Sequence, residues 1–290
     1  MKGKNQISHY QKLKKKWLAR HRKIERKIIA KHGHLISSLV PKHQLISGIM
    51  LATIPFIQMA PASVQAQLNN NHSQGQKHLS VADFLAGLKA ILPEEVRPLI
   101  PQEEDKIAAY LSGTFHISVL PELNGIKLNR SYGLIGKEQH LRRYPGDSIN
   151  QHFDNPGDAA LFGPDGTAPG LGAWGYFTDS KGQITEEGKL REKYYIAVPT
   201  FLAPGFNQNV GKFGLFFKYR KMLVVNPENG KAIIADIADA GPAEWTGKNL
   251  GGSPEVMHYL ERVDGAQRGP VLYFFVNDPN DTIPLGPITL

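Results

Sequence analysis

The chain has 290 residues, no cysteine and a formal net charge of +8. Without cysteine it forms no disulfide and holds neither a cysteine nucleophile nor a cysteine zinc site. The charge is uneven, since 13 of the 34 basic residues and one of the 26 acidic residues lie in residues 1–66. That segment carries +12 and the rest −4, so the body gives no electrostatic reason to expect a nucleic-acid partner.

Residues 1–66 have the pattern of an export leader. A basic run precedes an apolar window at 43–59, and Val64 and Ala66 then fit a small-residue cleavage signal. Three interpretations stay open: a cleaved leader, an uncleaved signal anchor, or a basic helix in the cytosol. In the first two, positive residues hold the N-terminal end inside. We therefore expect a secreted or cell-envelope protein that meets the membrane only through this segment.

Residues 67–79 are polar and predict a linker. Residues 80–113 predict a short helical segment, in which Ser80 caps the first helix and the second ends near Gly113.

Residues 114–290 predict a mainly β domain with long loops. Apolar residues alternate from Phe115 to Val119, which is typical of a strand. The stretch 121–190 is rich in Gly, Pro, Asn and Asp and predicts loops over a β scaffold, where function often resides. Further elements are predicted as strands at 194–198, 221–225, 232–237 and 271–276 and as a short helix from Ser253 to Leu260.

A carboxylate follows the apolar strand at 232–237, in the sequence Asp239-Ala-Gly-Pro. Strand alternation places Asp236 on the opposite face, so we expect only one of the two carboxylates to face a cleft. The alternative for Asp239 is a turn aspartate that bonds to its own backbone.

The stretch 224–243, Val-Val-Asn-Pro-Glu-Asn-Gly-Lys-Ala-Ile-Ile-Ala-Asp-Ile-Ala-Asp-Ala-Gly-Pro-Ala, resembles the core of double-psi β-barrel proteins of the rare lipoprotein A and expansin type. The resemblance covers about residues 190–280, and Gly-Gly-Ser-Pro-Glu at 251–255 departs from the family pattern. It implies a six-stranded double-psi β-barrel that binds glycan. Some members of the family are lytic transglycosylases acting on peptidoglycan, and the resemblance implies that Asp239 is the catalytic acid.

Residues 133–148 form a dense polar cluster. Here Glu138 is a candidate second acid, His140 a candidate proton carrier, Arg142 and Arg143 a candidate clamp for substrate carboxylates, and Asp147 a further candidate substrate-binding group. The alternative is a solvated, salt-bridged loop.

Three aromatic residues, Trp245, Trp174 and Tyr195, are candidates for stacking on sugar rings, with a place in the core as the alternative for each. The body lacks His-x-x-x-His and His-Glu-x-x-His, so we predict no metal site and no cofactor.

Together these features predict a monomer that acts on peptidoglycan or another cell-wall polysaccharide. Three functions stay open. The first is cleavage like that of a lytic transglycosylase, with Asp239 as general acid and base. The second is a non-catalytic wall-binding module of the expansin kind. The third is an inverting glycoside hydrolase, which needs a second carboxylate across the cleft.

Overall fold

A computed structural model describes residues 79–262 and 268–290. The predicted leader at 1–66, and the predicted linker at 67–79 apart from Leu79, lie outside the described residues. Within the two described ranges, no helix combines the length and the apolar character needed to cross a membrane.

The described part of the chain contains six helices and ten strands. The helices are α1 Val81–Lys89, α2 Pro101–Phe115, α3 Pro156–Phe162, α4 Glu186–Lys193, α5 Val210–Phe217 and α6 Pro254–Tyr259. The strands are β1 Val119–Leu120, β2 Glu122–Leu123, β3 Ile126–Lys127, β4 Tyr132–Lys137, β5 Tyr195–Val198, β6 Lys221–Val225, β7 Ala232–Ala240, β8 Leu250–Gly252, β9 Arg268–Val276 and β10 Gly286–Ile288.

Six of these strands close into a barrel. Each strand pairs with the next in the order β4, β9, β6, β7, β5 and β8, and β8 pairs back with β4. The pairs β4–β8 and β5–β7 are parallel and the others are antiparallel. The structure thus contains a closed barrel of six strands, as the sequence predicted. Its mixture of parallel and antiparallel pairs is compatible with a double-psi β-barrel.

Strands β6, β7 and β9 are buried on both faces, which explains why they are apolar almost throughout. On β6, Met222 and Val224 point into the barrel core. The alternate residues Leu223 and Val225 pack outward against helices α1 and α2. The helical segment and the barrel therefore share a core, in which each fully buried large apolar side chain contributes about 1.5–3 kcal/mol.

The two predicted caps are confirmed, but the predicted start of the β region is wrong. Ser80 Oγ accepts a hydrogen bond from the Asp83 amide, and Ser253 Oγ accepts one from the Val256 amide. Helix α2 continues to Phe115, because the Phe115 ring packs edge-on against Phe84 with centroids 5.6 Å apart. The alternating apolar pattern that begins at Phe115 therefore starts on a buried residue of helix α2. Only its end, at Val119–Leu120, is a strand, β1.

The stretch 133–137 is strand β4, not part of a loop as predicted. Gly133 and Gly136 interrupt the apolar pattern by which a strand is recognised in a sequence. A Cβ on Gly133 would lie 2.7 Å from Asn249 Cβ, and Asn249 Oδ1 accepts a hydrogen bond from the Leu134 amide. Glycine at this position lets β4 and the residue before β8 approach each other closely.

Candidate functional site

A β-bulge in β7 sets the direction of the Asp239 side chain. In the parallel pair β5–β7, Tyr195 pairs with Asp236 and Ala197 pairs with Asp239, which leaves Ala238 as an extra residue. Residues two apart on a strand share a face, as do paired residues on neighbouring strands. Asp236 and Asp239 therefore share the outer face of the barrel. The prediction that alternation separates them is wrong, because the bulge shifts the phase by one residue.

The two aspartates nevertheless differ in their surroundings. Asp236 is fully buried, and its Oδ2 accepts a hydrogen bond from Arg191 of helix α4 at 2.5 Å. Asp239 is only partly buried. Of the two carboxylates, Asp239 is the one that a ligand can reach.

Small residues continue the row that begins at Asp239. Ala197 pairs on its other side with Gly251 of β8, and Gly251 pairs with Gly136 of β4. Four adjacent strands thus present one acidic residue and three residues with little or no side chain. Strands lie about 4.8 Å apart, so this row forms a low floor on the outside of the barrel.

Two charged side chains lie on that floor. A Cβ on Gly251 would lie 2.5 Å from Glu138 Cγ, and a Cβ on Gly136 would lie 2.6 Å from Lys248 Cδ. Lys248 Nζ donates hydrogen bonds to Glu138 Oε1 at 2.9 Å and to the Lys137 carbonyl at 2.7 Å. We call Asp239, Glu138 and Lys248 the acid site.

Burial raises the pKa of Asp239. Its Oδ1 accepts hydrogen bonds from the amides of Ala240 and Ala173, both at 2.8 Å, and these act against the rise without cancelling it. Asp239 therefore bonds to the backbone of its own turn at Ala240, as expected for a turn aspartate. It also bonds to the loop that contains Ala173. Among the described residues no cation pairs with Asp239, so its carboxyl group favours the protonated form more than a free aspartate does.

Burial also raises the pKa of Glu138. Lys248 opposes that rise through its hydrogen bond and its charge, while the nearby charge of Asp239 adds to it. The two carboxyl groups therefore sense each other, and only Glu138 has a cationic partner within the described residues. Unequal surroundings of this kind let neighbouring carboxyl groups take different roles.

A cavity of about 270 Å³ opens at the end of the barrel where β7 ends and β8 begins. Lys248 belongs both to its wall and to the acid site, and Arg130, Glu244 and Asn249 also line it. Trp245 follows Glu244 and is 85 % exposed. The cavity wall is therefore of mixed charge, and an exposed aromatic side chain follows one of its residues in the chain.

Trp174 lies in a different environment from Trp245. Its indole packs against the barrel core, and its Nε1 donates a hydrogen bond to the Gly214 carbonyl at 3.2 Å. Tyr195 is buried, and its hydroxyl donates to the Gln139 carbonyl. Of the three residues predicted to stack on sugars, Trp245 alone is largely exposed. Trp174 and Tyr195 pack in the interior instead.

Three residues predicted to act near Asp239 lie in the interior instead. His140, Arg143 and Asp147 are all at most 5 % exposed. Arg143 donates to Asp147 Oδ2 through its backbone amide at 3.0 Å and through Nε at 3.1 Å. The loop is therefore salt-bridged but not solvated, and a sugar on the acid site would not touch these three side chains. Arg142 is half-buried.

The interior side chains join three residues that the sequence did not single out. His152 Nδ1 lies 3.3 Å from Asp147 Oδ2, and His152 Nε2 lies 2.7 Å from Glu192 Oε2. His140 Nδ1 lies 3.5 Å from Glu192 Oε1 and 3.9 Å from Glu255 Oε2. We call His140, Asp147, His152, Glu192 and Glu255 the buried cluster.

The buried cluster has strongly perturbed charges. Burial alone would lower the pKa of His152, but the hydrogen bonds with Asp147 and Glu192 raise it to about 9. Burial raises the pKa of Glu255 to about 7, although His140 opposes the rise. Burial raises the pKa of the Tyr195 hydroxyl, and charges of both the acid site and the buried cluster add to the rise.

The sequence could not show this cluster, because its members come from three distant parts of the chain. His140, Asp147 and His152 precede helix α3, while Glu192 lies in the last turn of helix α4 and Glu255 in the first turn of helix α6. His140, His152 and Glu192 place possible ligand atoms within 4.8 Å of one another. The absence of a local histidine motif therefore did not exclude metal-ligating residues that meet only in the fold.

No protein-family model matches this chain, and neither a curated protein nor a solved structure matches it. A proposal of function therefore depends on the closed six-stranded barrel and on the side chains that it brings together.

Proposed function

We propose that this protein is an exported cell-wall glycan-acting protein of the double-psi β-barrel type that cleaves peptidoglycan as a lytic transglycosylase does. Asp239 serves as the general acid and base. The observation that carries the proposal is the bulge at Ala238, which turns Asp239 onto the glycine-lined outer face beside Glu138. The basic, then apolar, N-terminal pattern supports export.

The chemistry needs one carboxyl group that carries a proton closer to neutral pH than usual. Asp239 donates this proton to the glycosidic oxygen as the bond from that oxygen to the sugar C1 breaks. The Asp239 carboxylate then takes the proton of the sugar 6-hydroxyl, whose oxygen forms the new bond to C1. The product is an anhydro sugar, and Asp239 ends protonated as it began.

The charges of Glu138 and Lys248 assist this reaction. The cleavage builds positive charge on the sugar ring, and an ionised Glu138 beside Asp239 stabilises that charge. Lys248 holds Glu138 in place through the 2.9 Å ion pair. Lys248 also lines the cavity at the barrel end, where its positive charge attracts the carboxylates of a wall peptide.

A second candidate, a non-catalytic wall-binding module, is favoured by two observations. Asp239 Oδ1 already accepts two backbone hydrogen bonds, one of them within its own turn. Trp245 offers an open ring for stacking. A hydrolase remains the third candidate, with Glu138 as the carboxylate that activates water.

The products formed from purified peptidoglycan sacculi distinguish the three candidates. The full-length protein is incubated with sacculi, and soluble fragments are identified by mass spectrometry. Anhydro-muropeptides support the proposal. Ordinary reducing ends assign a hydrolase, and sacculus pelleting without soluble products assigns a binding module and overturns the enzyme proposal.

A further inference from the structure

We infer that the buried cluster is a binding site for one divalent transition-metal ion, with zinc as the expected ion, that joins the loop before helix α3 to helices α4 and α6. The ligands are His140 Nδ1, His152 Nε2, Glu192 and Glu255. This site is separate from the acid site and does not depend on the proposed function.

The spacing of the donor atoms fits four-coordinate binding. With metal–ligand distances of about 2.0–2.2 Å, tetrahedral ligand atoms lie about 3.4 Å apart. His140 Nδ1 is 3.5 Å from Glu192 Oε1 and 3.9 Å from Glu255 Oε2. The 2.7 Å contact between His152 Nε2 and Glu192 Oε2 is a hydrogen bond that the ion would replace. His140, His152 and Glu192 already place possible ligand atoms within 4.8 Å of one another, and the Glu255 carboxylate must move closer to them to complete the coordination shell.

The surroundings of His152 match those of a metal-binding histidine. Such a histidine usually donates its second ring N–H to a carboxylate, which fixes the tautomer and the ring orientation. His152 Nδ1 faces Asp147 Oδ2 at 3.3 Å, and Arg143 holds that carboxylate with two hydrogen bonds. His152 Nε2 is left facing Glu192. Asp147 is thus a positioning residue, not a ligand.

His140 and Glu255 carry the strongest sign that a component is missing. His140 is fully buried, yet neither of its ring nitrogens makes a hydrogen bond with any residue that the structure describes. Within the same residues, Glu255 Oε2 is also buried without a hydrogen-bond partner. A buried polar atom without a partner costs about 1–3 kcal/mol, and three such atoms meet here. An ion bound to His140 Nδ1 and Glu255 Oε2 would satisfy two of them at once.

The charges of the cluster also favour a dication. Arg143 balances Asp147, which leaves the carboxylates of Glu192 and Glu255 to neutralise a 2+ ion. Two imidazoles and two carboxylates form a donor set that suits zinc and neighbouring transition metals better than calcium or magnesium. Four protein ligands in a buried position leave no open coordination site, which is the arrangement of a structural ion.

The cluster is reachable from the surface. A cavity of about 210 Å³ is lined by His152, Glu192 and Glu255. Its wall also holds Asp154, Asp158 and Glu186, which form ion pairs with Lys189 and Lys193 of the same wall. Phe153 lines the same cavity, and its ring centroid is 5.2–5.3 Å from both imidazoles. An ion can therefore reach the cluster through this cavity.

Metal content and coordination test this inference directly. Full-length protein without a polyhistidine tag is assayed by inductively coupled plasma mass spectrometry, as purified and after chelation and zinc reloading. We expect about one equivalent per chain, and X-ray absorption should show about four nitrogen or oxygen ligands near 2.0–2.1 Å, including imidazole. Chelation should lower the melting temperature, and zinc should restore it.

Variants distinguish this site from adventitious binding. His140→Ala should lose the bound ion, and Glu255→Gln, which preserves shape, should weaken binding. Asp147→Asn should reduce zinc affinity about 10- to 100-fold. His258→Ala removes an exposed histidine of the same helix as Glu255 and should change nothing.

Two results would overturn the inference. In the first, the folded wild-type protein carries no metal and takes up neither added zinc nor added manganese. In the second, His140→Ala and His258→Ala retain equal amounts of metal, which would mean surface binding only. If His140→Ala does not fold, the wild-type absorption spectrum and the Asp147→Asn affinity still decide between these outcomes.

Discussion

Asp239 and Ala197 are register partners across the parallel pair β5–β7, and the extra residue Ala238 makes them so. Without the bulge, continued alternation from Ile237 would point Asp239 toward the apolar barrel core. With it, the carboxyl group lies outside, next to alanine and glycine. The bulge therefore moves Asp239 to a partly buried position on the outer face, where burial raises its pKa.

The pH dependence of cleavage should report the raised pKa of Asp239. A general acid works only while protonated, so activity should fall as pH rises through its pKa. Because burial raises that pKa above the ordinary aspartate value of 3.8, the falling limb should be centred above pH 3.8. Rates of muropeptide release across a pH series measure it. A falling limb centred at or below that value would contradict the assignment.

Gly251→Ala should disturb the acid site. The added Cβ would lie 2.5 Å from Glu138 Cγ, so the Glu138 side chain must move off the floor. We expect an activity loss of about tenfold or more and a stability loss of about 1–3 kcal/mol. Gly182→Ala is the control, because a Cβ there meets nothing within 4 Å. Equal activity in both variants would show that the position of Glu138 does not matter.

The two tryptophans should separate binding from stability. Trp245→Ala removes a side chain that is 85 % exposed, so the free energy of unfolding should change by less than about 0.5 kcal/mol while sacculus binding weakens. Trp174→Ala removes a core-packed indole and should cost about 3 kcal/mol. Urea unfolding and sacculus pelleting measure the two effects. Unchanged pelleting in Trp245→Ala would remove this residue from the binding surface.

Asp278 should control part of the acid stability. Burial acts to raise the pKa of Asp278, but hydrogen bonds from Lys221 and from the amides of Thr282 and Ile283 outweigh it and lower the pKa to about 2. The folded pKa is below the unfolded one, so this stabilisation is present above about pH 4 and is lost as the pH falls toward 2.

Asp278→Asn should therefore flatten the pH dependence of unfolding in that window. The wild type should lose roughly 1–2 kcal/mol more than the variant between pH 5 and pH 2, after allowing for solvent screening. Urea unfolding at each pH measures this difference, and Asp179→Asn, at an exposed position, is the control. If the free energy of unfolding changes with pH in the same way in wild type and Asp278→Asn, the ion pair between Asp278 and Lys221 does not contribute to acid stability.

The sequence predicted the apolar strands of the barrel well. Strands were expected at 194–198, 221–225, 232–237 and 271–276, and they occur at 195–198, 221–225, 232–240 and 268–276. Each is a run of apolar residues with turn signals at its ends. The missed barrel strands, β4 and β8, contain two glycines each. At three of these positions Glu138, Lys248 or Asn249 lies where a side chain would otherwise be, and at Gly252 the core residues Ile135, Val256 and Met257 do.

The candidate site was only partly predictable. Asp239 could be found because it follows a strand and precedes Gly-Pro, and Glu138 because it lies in a polar cluster. Lys248 and the bulge could not be found, since a register shift depends on pairing between distant strands. His140, Arg143 and Asp147 were predicted from the polar cluster at 133–148 to act beside Asp239, but they are buried. A sequence cannot show whether such side chains face a ligand site or Glu192 and Glu255 in the interior.

The most direct measurement is the rate at which Asp239→Asn releases muropeptides from sacculi, compared with wild type, Glu138→Gln and Asp179→Asn. We predict a loss of about 10²- to 10⁴-fold for Asp239→Asn, a smaller loss for Glu138→Gln, and no loss for Asp179→Asn. All variants should melt at the wild-type temperature and still pellet with sacculi. Release by Asp239→Asn at the wild-type rate would contradict the assignment of Asp239 as the general acid and base.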